Sequence, residues 1–164
     1  MFIFRVFLSA AVLAVGAAVT QIQPAAAATT EAEAVTSFAA EQLSKPFQLG
    51  ANGMSKFDCS GLVYRTYFET GLLGRIGGQQ RRANGYYNWF KDNGLLTTNP
   101  RPGDLVVWAY SGQKVSHMGI FTGYNSKGQA MAISALVNPY GVTLHRVSGI
   151  SVPLKAYLRV DLDR

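Results

Sequence analysis

Apolar residues at Val35, Phe38, Ala39 and Leu43 recur at helical spacing, with Gln42 the one polar residue on the stripe. Thr30-Glu31-Ala32-Glu33 stands just before that run as a capping box with Thr30 as N-cap, and Pro46 requires the helix to stop before it. A loop rich in Gly and Asn follows from Leu49 to Lys56. A second helical pattern starts around Asp58 to Ser60 and runs to Thr70, with Leu62, Val63, Tyr67 and Phe68 on its apolar side and Gly71 as the stop. Residues 71–85, rich in Gly and Arg, read as an exposed, adaptable loop. Tyr86 to Asn93 reads as one short helical piece ended by Gly94. After Pro100 the character changes to that of strands: Asp104-Leu-Val-Val-Trp-Ala, His117–Thr122, Ala130–Leu136, Val142–Val147 and Leu154–Val160, punctuated by Gly and Asn. Helices first and antiparallel strands second predict an α+β architecture.

The first residues do not fit that domain. Met1 to Arg5 is a short segment with one basic residue, Val6 to Thr20 is an apolar run, and Ala25 to Ala28 offers a small-residue cleavage site. The pattern predicts a secretory leader over residues 1–28 and a single domain over residues 29–164. The apolar run is short for a bilayer span, no cysteine adjoins the cleavage site, and no later segment is long and apolar enough to cross a membrane. No stable membrane anchor is expected, and the protein is read as secreted. The formal net charge is +6. Such a balance suits anionic envelope polymers bearing phosphate or carboxylate, or serves solubility alone. Nucleic acid is not expected: the basic residues are scattered apart from Arg81-Arg82, and no nucleic-acid motif is present. A monomer is the expectation.

The chain holds one cysteine, Cys59, so it has no internal disulfide. The thiol is either buried and inert or reactive. Its neighbours, Phe57-Asp58-Cys59-Ser60-Gly61, favour the second. At the first turn of a helix, unpaired N–H groups stabilise a thiolate and can donate to a developing oxyanion. Gly61 allows close approach of another chain. A thiol nucleophile needs a proton carrier, and the chain has two histidines. His117 begins a strand, from which it can face a helix N-terminus; taken alone it also suits a surface position. His145 falls on the face of its strand opposite Val142 and Leu144, and is expected to look into solvent with Thr143. Two distant histidines and one cysteine make no metal set, and no phosphate-binding loop is present, so no metal or cofactor is expected.

Three blocks now stand in order: Phe57-Asp58-Cys59-Ser60-Gly61-Leu62-Val63, Arg101-Pro102-Gly103-Asp104-Leu105-Val106, and Ser116-His117-Met118-Gly119-Ile120-Phe121-Thr122-Gly123. Together they resemble the NlpC/P60 family of cell-wall cysteine peptidases, over about Lys45 to Val160. The resemblance implies a papain-like fold, with N-terminal helices packed on an antiparallel sheet of about five or six strands. It implies hydrolysis of amide bonds in peptidoglycan stem peptides, commonly between D-glutamate and a diamino acid, by a secreted, cell-wall-associated endopeptidase. By position, Cys59 is the nucleophile and His117 its base. Asp58 helps bind the free amine of the stem peptide, a role compatible with that of helix N-cap. Ser60 adjoins it on the substrate side.

The chain departs from that pattern at three places. The third polar residue, usually a histidine in an Ile-His-Ala context, is matched by Ile133-Ser134-Ala135, so Ser134 would orient His117. Asn138 is the rival, and a backbone carbonyl is the third possibility. Phe47 stands where the family often has a tyrosine, and Asn84 where a substrate-contacting serine follows the nucleophile helix. The aromatic cluster Tyr86, Tyr87, Trp89 and Phe90 reads as core packing with one ring exposed, or as the lining of a groove, and Trp108 reads as core. Two rival functions stay open: a catalytically silent wall-binding domain of the same fold, and an amidase or acyltransferase-type effector using the same pair.

Overall fold

A computed structural model describes residues 29–163, so the leader expected over residues 1–28 lies outside the described residues. The capping box forms: the Glu33 amide donates to Thr30 Oγ1 at 3.2 Å and the Thr30 amide to Glu33 Oε2 at 3.0 Å. The helix it starts, α1 (Glu31–Glu41), turns Ala32, Val35 and Ala39 inward. Gln42 closes it; its side-chain amide donates back to the Phe38 carbonyl at 2.8 Å and its oxygen accepts from Lys45 Nζ at 2.6 Å, which satisfies a buried polar group on the apolar stripe.

Helix α2 (Cys59–Glu69) buries Leu62, Val63 and Tyr67, and packs chiefly on the sheet. The Tyr67 hydroxyl donates to the Gly103 carbonyl and ties the helix to the segment that leads into the sheet. Gly71, at φ 74°, takes the left-handed conformation just past the helix end. Residues 71–85 are not one loose loop: Leu73–Ile76 form a 3-10 turn with Ile76 buried, and α3 starts early, at Ala83, and runs to Asp92. In α3 Tyr86 and Phe90 are buried while Tyr87 and Trp89 pack half-exposed against the same core.

Six strands form one antiparallel sheet: β1 (Leu96–Thr97), β2 (Leu105–Trp108), β3 (His117–Tyr124), β4 (Ala130–Leu136), β5 (Gly141–Arg146) and β6 (Leu154–Leu158), in the order β1-β6-β2-β3-β4-β5. Strand β1 has no counterpart among the sequence expectations. Alternate residues serve two faces. Leu105, Val107, Met118, Ile120, Ile133, Ala135, Val142 and Leu158 meet the helices in the main core. Val106, Trp108, Phe121, Ala132 and Val147 form a second, smaller apolar cluster. Strand β2, buried at all four positions, belongs to both. Asp104, fully buried at the mouth of β2, accepts from the Arg101 amide at 2.8 Å, the Val160 amide at 3.0 Å and Arg159 Nε at 3.0 Å. It joins the start of β2 to the segment that leaves β6.

Candidate active site

Asp58 builds one wall of the site. It caps α2 from an extended conformation; its Oδ1 accepts from the Gly61 amide at 2.6 Å and from the Ser60 hydroxyl at 3.0 Å, and its Oδ2 accepts from the Gly50 amide at 2.8 Å. One carboxylate therefore starts the helix and pins the preceding loop. That loop lies hard against the helix: the Asp58 amide donates to the Ala51 carbonyl at 2.8 Å, Arg65 Nε donates to the Asn52 carbonyl at 2.8 Å, and a Cβ added at Gly61 would strike the Ala51 carbonyl.

Cys59, the first residue of α2, is half-buried and opens into a cleft of about 340 Å³ lined by Leu49, Asp58, Ser60, Asn84, Lys114 and Ser116 among others. Arg82 and Lys114, both exposed, give the cleft a basic rim. The amides of Met118, Ser60 and Cys59 itself interact with the sulfur and favour its ionised form. They do not prevail. Burial, followed by the charge of Asp58, pushes the thiol up to about 11, against the ionised form that the helix N-terminus favours.

Met118 follows His117, so the amide beside the sulfur and the imidazole belong to neighbouring residues on β3. His117 is half-buried with Nε2 2.9 Å from Ser134 Oγ. Burial, with a smaller contribution from His145, lowers its pKa from the ordinary 6.5 to about 4. Ser134 is fully buried on β4, and its Oγ also lies 2.8 Å from His145 Nε2. His145 Nδ1 lies 2.9 Å from the Arg146 carbonyl oxygen. Trp108 underlies both imidazoles, with ring centroids 5.2 Å from His117 and 5.8 Å from His145, and its Nε1 donates to the Val147 carbonyl at 3.0 Å. Gly119 makes room for the arrangement: a Cβ there would stand 2.9 Å from Ser134 Cβ and 2.8 Å from the Ile133 carbonyl oxygen.

Cys59, Asp58, Ser60 and Asn84 thus share one cleft, and Ser134 meets His117. Asn84 turns its Oδ1 to the Val115 amide at 3.1 Å, which braces the segment leading into His117. Two expectations are corrected. Asn138 is exposed beyond the end of β4, and the hydroxyl of Ser134 occupies the place beside His117 that it was to fill. Phe47 packs half-buried against the main core, paired with Phe57, and is not among the cleft's lining residues; His117 is not among them either, and follows directly on the lining residue Ser116. A third correction concerns His145, which faces Ser134 and Trp108 instead of solvent, while Leu144 is the exposed neighbour at 48%. The available signal was the unbroken apolar run of β2: a strand buried on both sides implies cover on the second face, where His145 and Thr143 point. Among the described residues no cluster of three or more His, Cys, Asp or Glu side chains is arranged to hold a metal ion.

The model of the NlpC/P60 family matches residues 44–152. "Probable endopeptidase p60" of Listeria grayi is 36% identical over 85 residues, 52% of this chain and 15% of that protein. "Probable endopeptidase" of Corynebacterium glutamicum is 29% identical over 133 residues, 81% of this chain and 57% of that protein. Among solved structures, NlpC1 from Trichomonas vaginalis superposes with a TM-score of 0.65 at 22% identity, covering 87% of this chain and 47% of that one. The NlpC/p60 domain of the peptidoglycan hydrolase SagA gives 0.55 at 21% identity, covering 78% of this chain and 97% of that domain. The chain spans less than two thirds of the length of these two curated relatives, and the structural likeness, at 22% identity or less, concerns the fold. The matched segment runs from the loop before the cysteine helix to the turn after β5, so it contains the cleft and both imidazoles, and the chain belongs to the NlpC/P60 family.

Proposed function

We propose that the protein is a secreted cysteine endopeptidase that hydrolyses amide bonds in peptidoglycan stem peptides, of the D-glutamyl–diamino acid type. The observation that carries this reading is the thiol at the start of α2, open to a cleft and held against the amide next to His117. The names of the relatives point the same way: probable endopeptidases on one side, a peptidoglycan hydrolase domain on the other. The basic rim of Arg82 and Lys114 suits a peptide rich in carboxylates, and Asp58 Oδ2, with one hydrogen bond, retains capacity to accept from a substrate amine. The net charge of +6 suits residence near anionic wall polymers.

Burial pushes the Cys59 thiol up and the His117 imidazole down, which favours a protonated sulfur beside a neutral imidazole, the form that accepts a proton. His117 takes the Cys59 proton as the sulfur attacks the scissile carbonyl carbon. The carbonyl oxygen becomes an oxyanion, to which the amides at the start of α2 donate. Collapse of that intermediate breaks the C–N bond, and His117 delivers its proton to the leaving amine. Water then attacks the thioester with His117 again as base, which releases the acid and restores the thiol.

Digestion of defined muropeptides, read by mass spectrometry, tests this. Wild type should add one water across a stem-peptide bond, while Cys59→Ala and His117→Ala should lose about 100-fold or more of kcat. Undiminished hydrolysis by Cys59→Ala would remove the cysteine mechanism. Binding without hydrolysis by wild type would leave a wall-binding domain, and cleavage or transfer at a different acyl bond would leave an amidase or acyltransferase.

A further inference from the structure

We infer that His145 is a positioning residue which, through the hydroxyl of Ser134, dictates which nitrogen of His117 carries the proton. The inference rests on the reading of Cys59 and His117 as nucleophile and base, and gives a task to an imidazole which that reading leaves idle.

The donors along the chain of contacts fix each hydrogen in turn, from the outer end inward. His145 Nδ1 lies 2.9 Å from the Arg146 carbonyl oxygen, and a carbonyl only accepts, so Nδ1 carries a hydrogen. Burial holds His145 below its ordinary pKa, so the ring is neutral and its Nε2 is a bare acceptor. Nε2 lies 2.8 Å from Ser134 Oγ, so the hydroxyl donates to it. A hydroxyl has a single hydrogen. Toward His117, whose Nε2 is 2.9 Å away, Oγ can therefore only accept, and His117 Nε2 carries the ring proton. His117 Nδ1 is left bare, which is the state that can take a proton from a thiol.

Ser134 alone would not give this result. A hydroxyl facing one imidazole can rotate and donate to Nε2, which moves the ring proton to Nδ1 and disables the base. The second imidazole removes that freedom. Ser134 is fully buried and Trp108 floors both rings, so solvent does not compete for the hydroxyl. The arrangement also gives a physical reason why a serine suffices where the sequence pattern led one to expect a histidine: the polarity lost at the third position is supplied one strand further out, on β5.

The test is ring-nitrogen NMR on protein labelled with 15N-histidine at neutral pH, paired with kcat and KM on a muropeptide. Wild type should show His117 protonated at Nε2 and His145 at Nδ1. His145→Phe keeps the ring shape and removes the acceptor; His117 should shift toward the Nδ1–H form, and kcat should fall about 10-fold or more with KM changed less than about two-fold. In His145→Gln the amide oxygen can stand near the lost Nε2 and accept from Ser134, so the His117 tautomer and most of kcat should return. If His145→Phe fails to fold, Ser134→Ala breaks the same chain at the other end and should equally abolish the Nε2–H preference. The inference is overturned if His117 keeps that tautomer in these variants, or if Gln rescues nothing. The spectra need no substrate, so the two readings fail separately. Wild type inert on muropeptides with the tautomers as stated would sink the peptidase and leave the relay. A Cys59-dependent peptidase whose His117 tautomer ignores His145 would do the reverse.

Discussion

His117 stands with one ring edge on Ser134 and one face over Trp108, and both contacts take it out of water. Burial thereby lowers its pKa from 6.5 to about 4, and a group with a depressed folded pKa resists protonation until the pH falls through that lower value. On the proposed reading of His117 as the base, kcat/KM is expected to hold below pH 6.5 and fall with a limb near 4. An acid limb at the ordinary 6.5 would contradict the burial argument. The same shift costs stability as the pH drops from 6.5 to 4, because the unfolded chain takes the proton first, so circular dichroism must show the chain folded at each point. Much of this site was legible in the sequence. A lone cysteine after an N-capping aspartate, a histidine opening a strand and a serine in the next strand are all positional signals. His145 was not legible, because period-2 reasoning says which residues share a face but not which face is covered. The apolar side of β5 was taken to be the inner one at both Val142 and Leu144, yet only Val142 reaches the core. For a related reason the sequence shows the helix N-terminus at Cys59 but not the burial that pushes its thiol up, which is a tertiary property.

At the scale of elements, α2 and the loop in front of it act as one part. The loop is fastened by the Gly50 amide on Asp58, by the Ala51 carbonyl on the Asp58 amide and by the Asn52 carbonyl on Arg65, and it closes over a helix residue that has no side chain. Gly61→Ala should drive a methyl into the Ala51 carbonyl and destabilise the fold by about 2 kcal/mol, since overpacking against backbone leaves no flexible neighbour to yield. Urea unfolding measures this; a midpoint equal to that of wild type would show the loop to be looser than described. Helices α1 and α2 were readable because each begins with a capping side chain, Thr30 or Asp58, placed ahead of periodic apolar residues. Helix α3 was placed late because Arg82 starts it with no side-chain cap, so nothing local marks its first turn. The two-residue β1 carries no periodicity at all; it exists because Leu96 and Thr97 find Leu158 and Tyr157 at the sheet's edge.

Across the whole molecule, the last strand returns to lie between β1 and β2, and Asp104 is where that closure is fixed. Removing its charge in Asp104→Asn should cost about 3 kcal/mol, because the buried oxygens serve two backbone amides and the Arg159 guanidinium together. Thermal melting should show that loss; an unaltered melting temperature would mean that Asp104 is not the clasp. The sheet order itself could not be read from the chain, since adjacency in sequence favours hairpins and gives no hint that β6 should insert beside β2. The class, helices on an antiparallel sheet, needed only the change of period after Pro100. At Gly119 the space between β3 and β4 is so narrow that not even a methyl fits, which brings the imidazole-bearing and hydroxyl-bearing strands together through the weave of the backbone and not through the choice of a rotamer. A chain built in this way brings His117 to Ser134 in the same act that zips the two strands into register, and a slipped sheet would leave neither side chain with its partner.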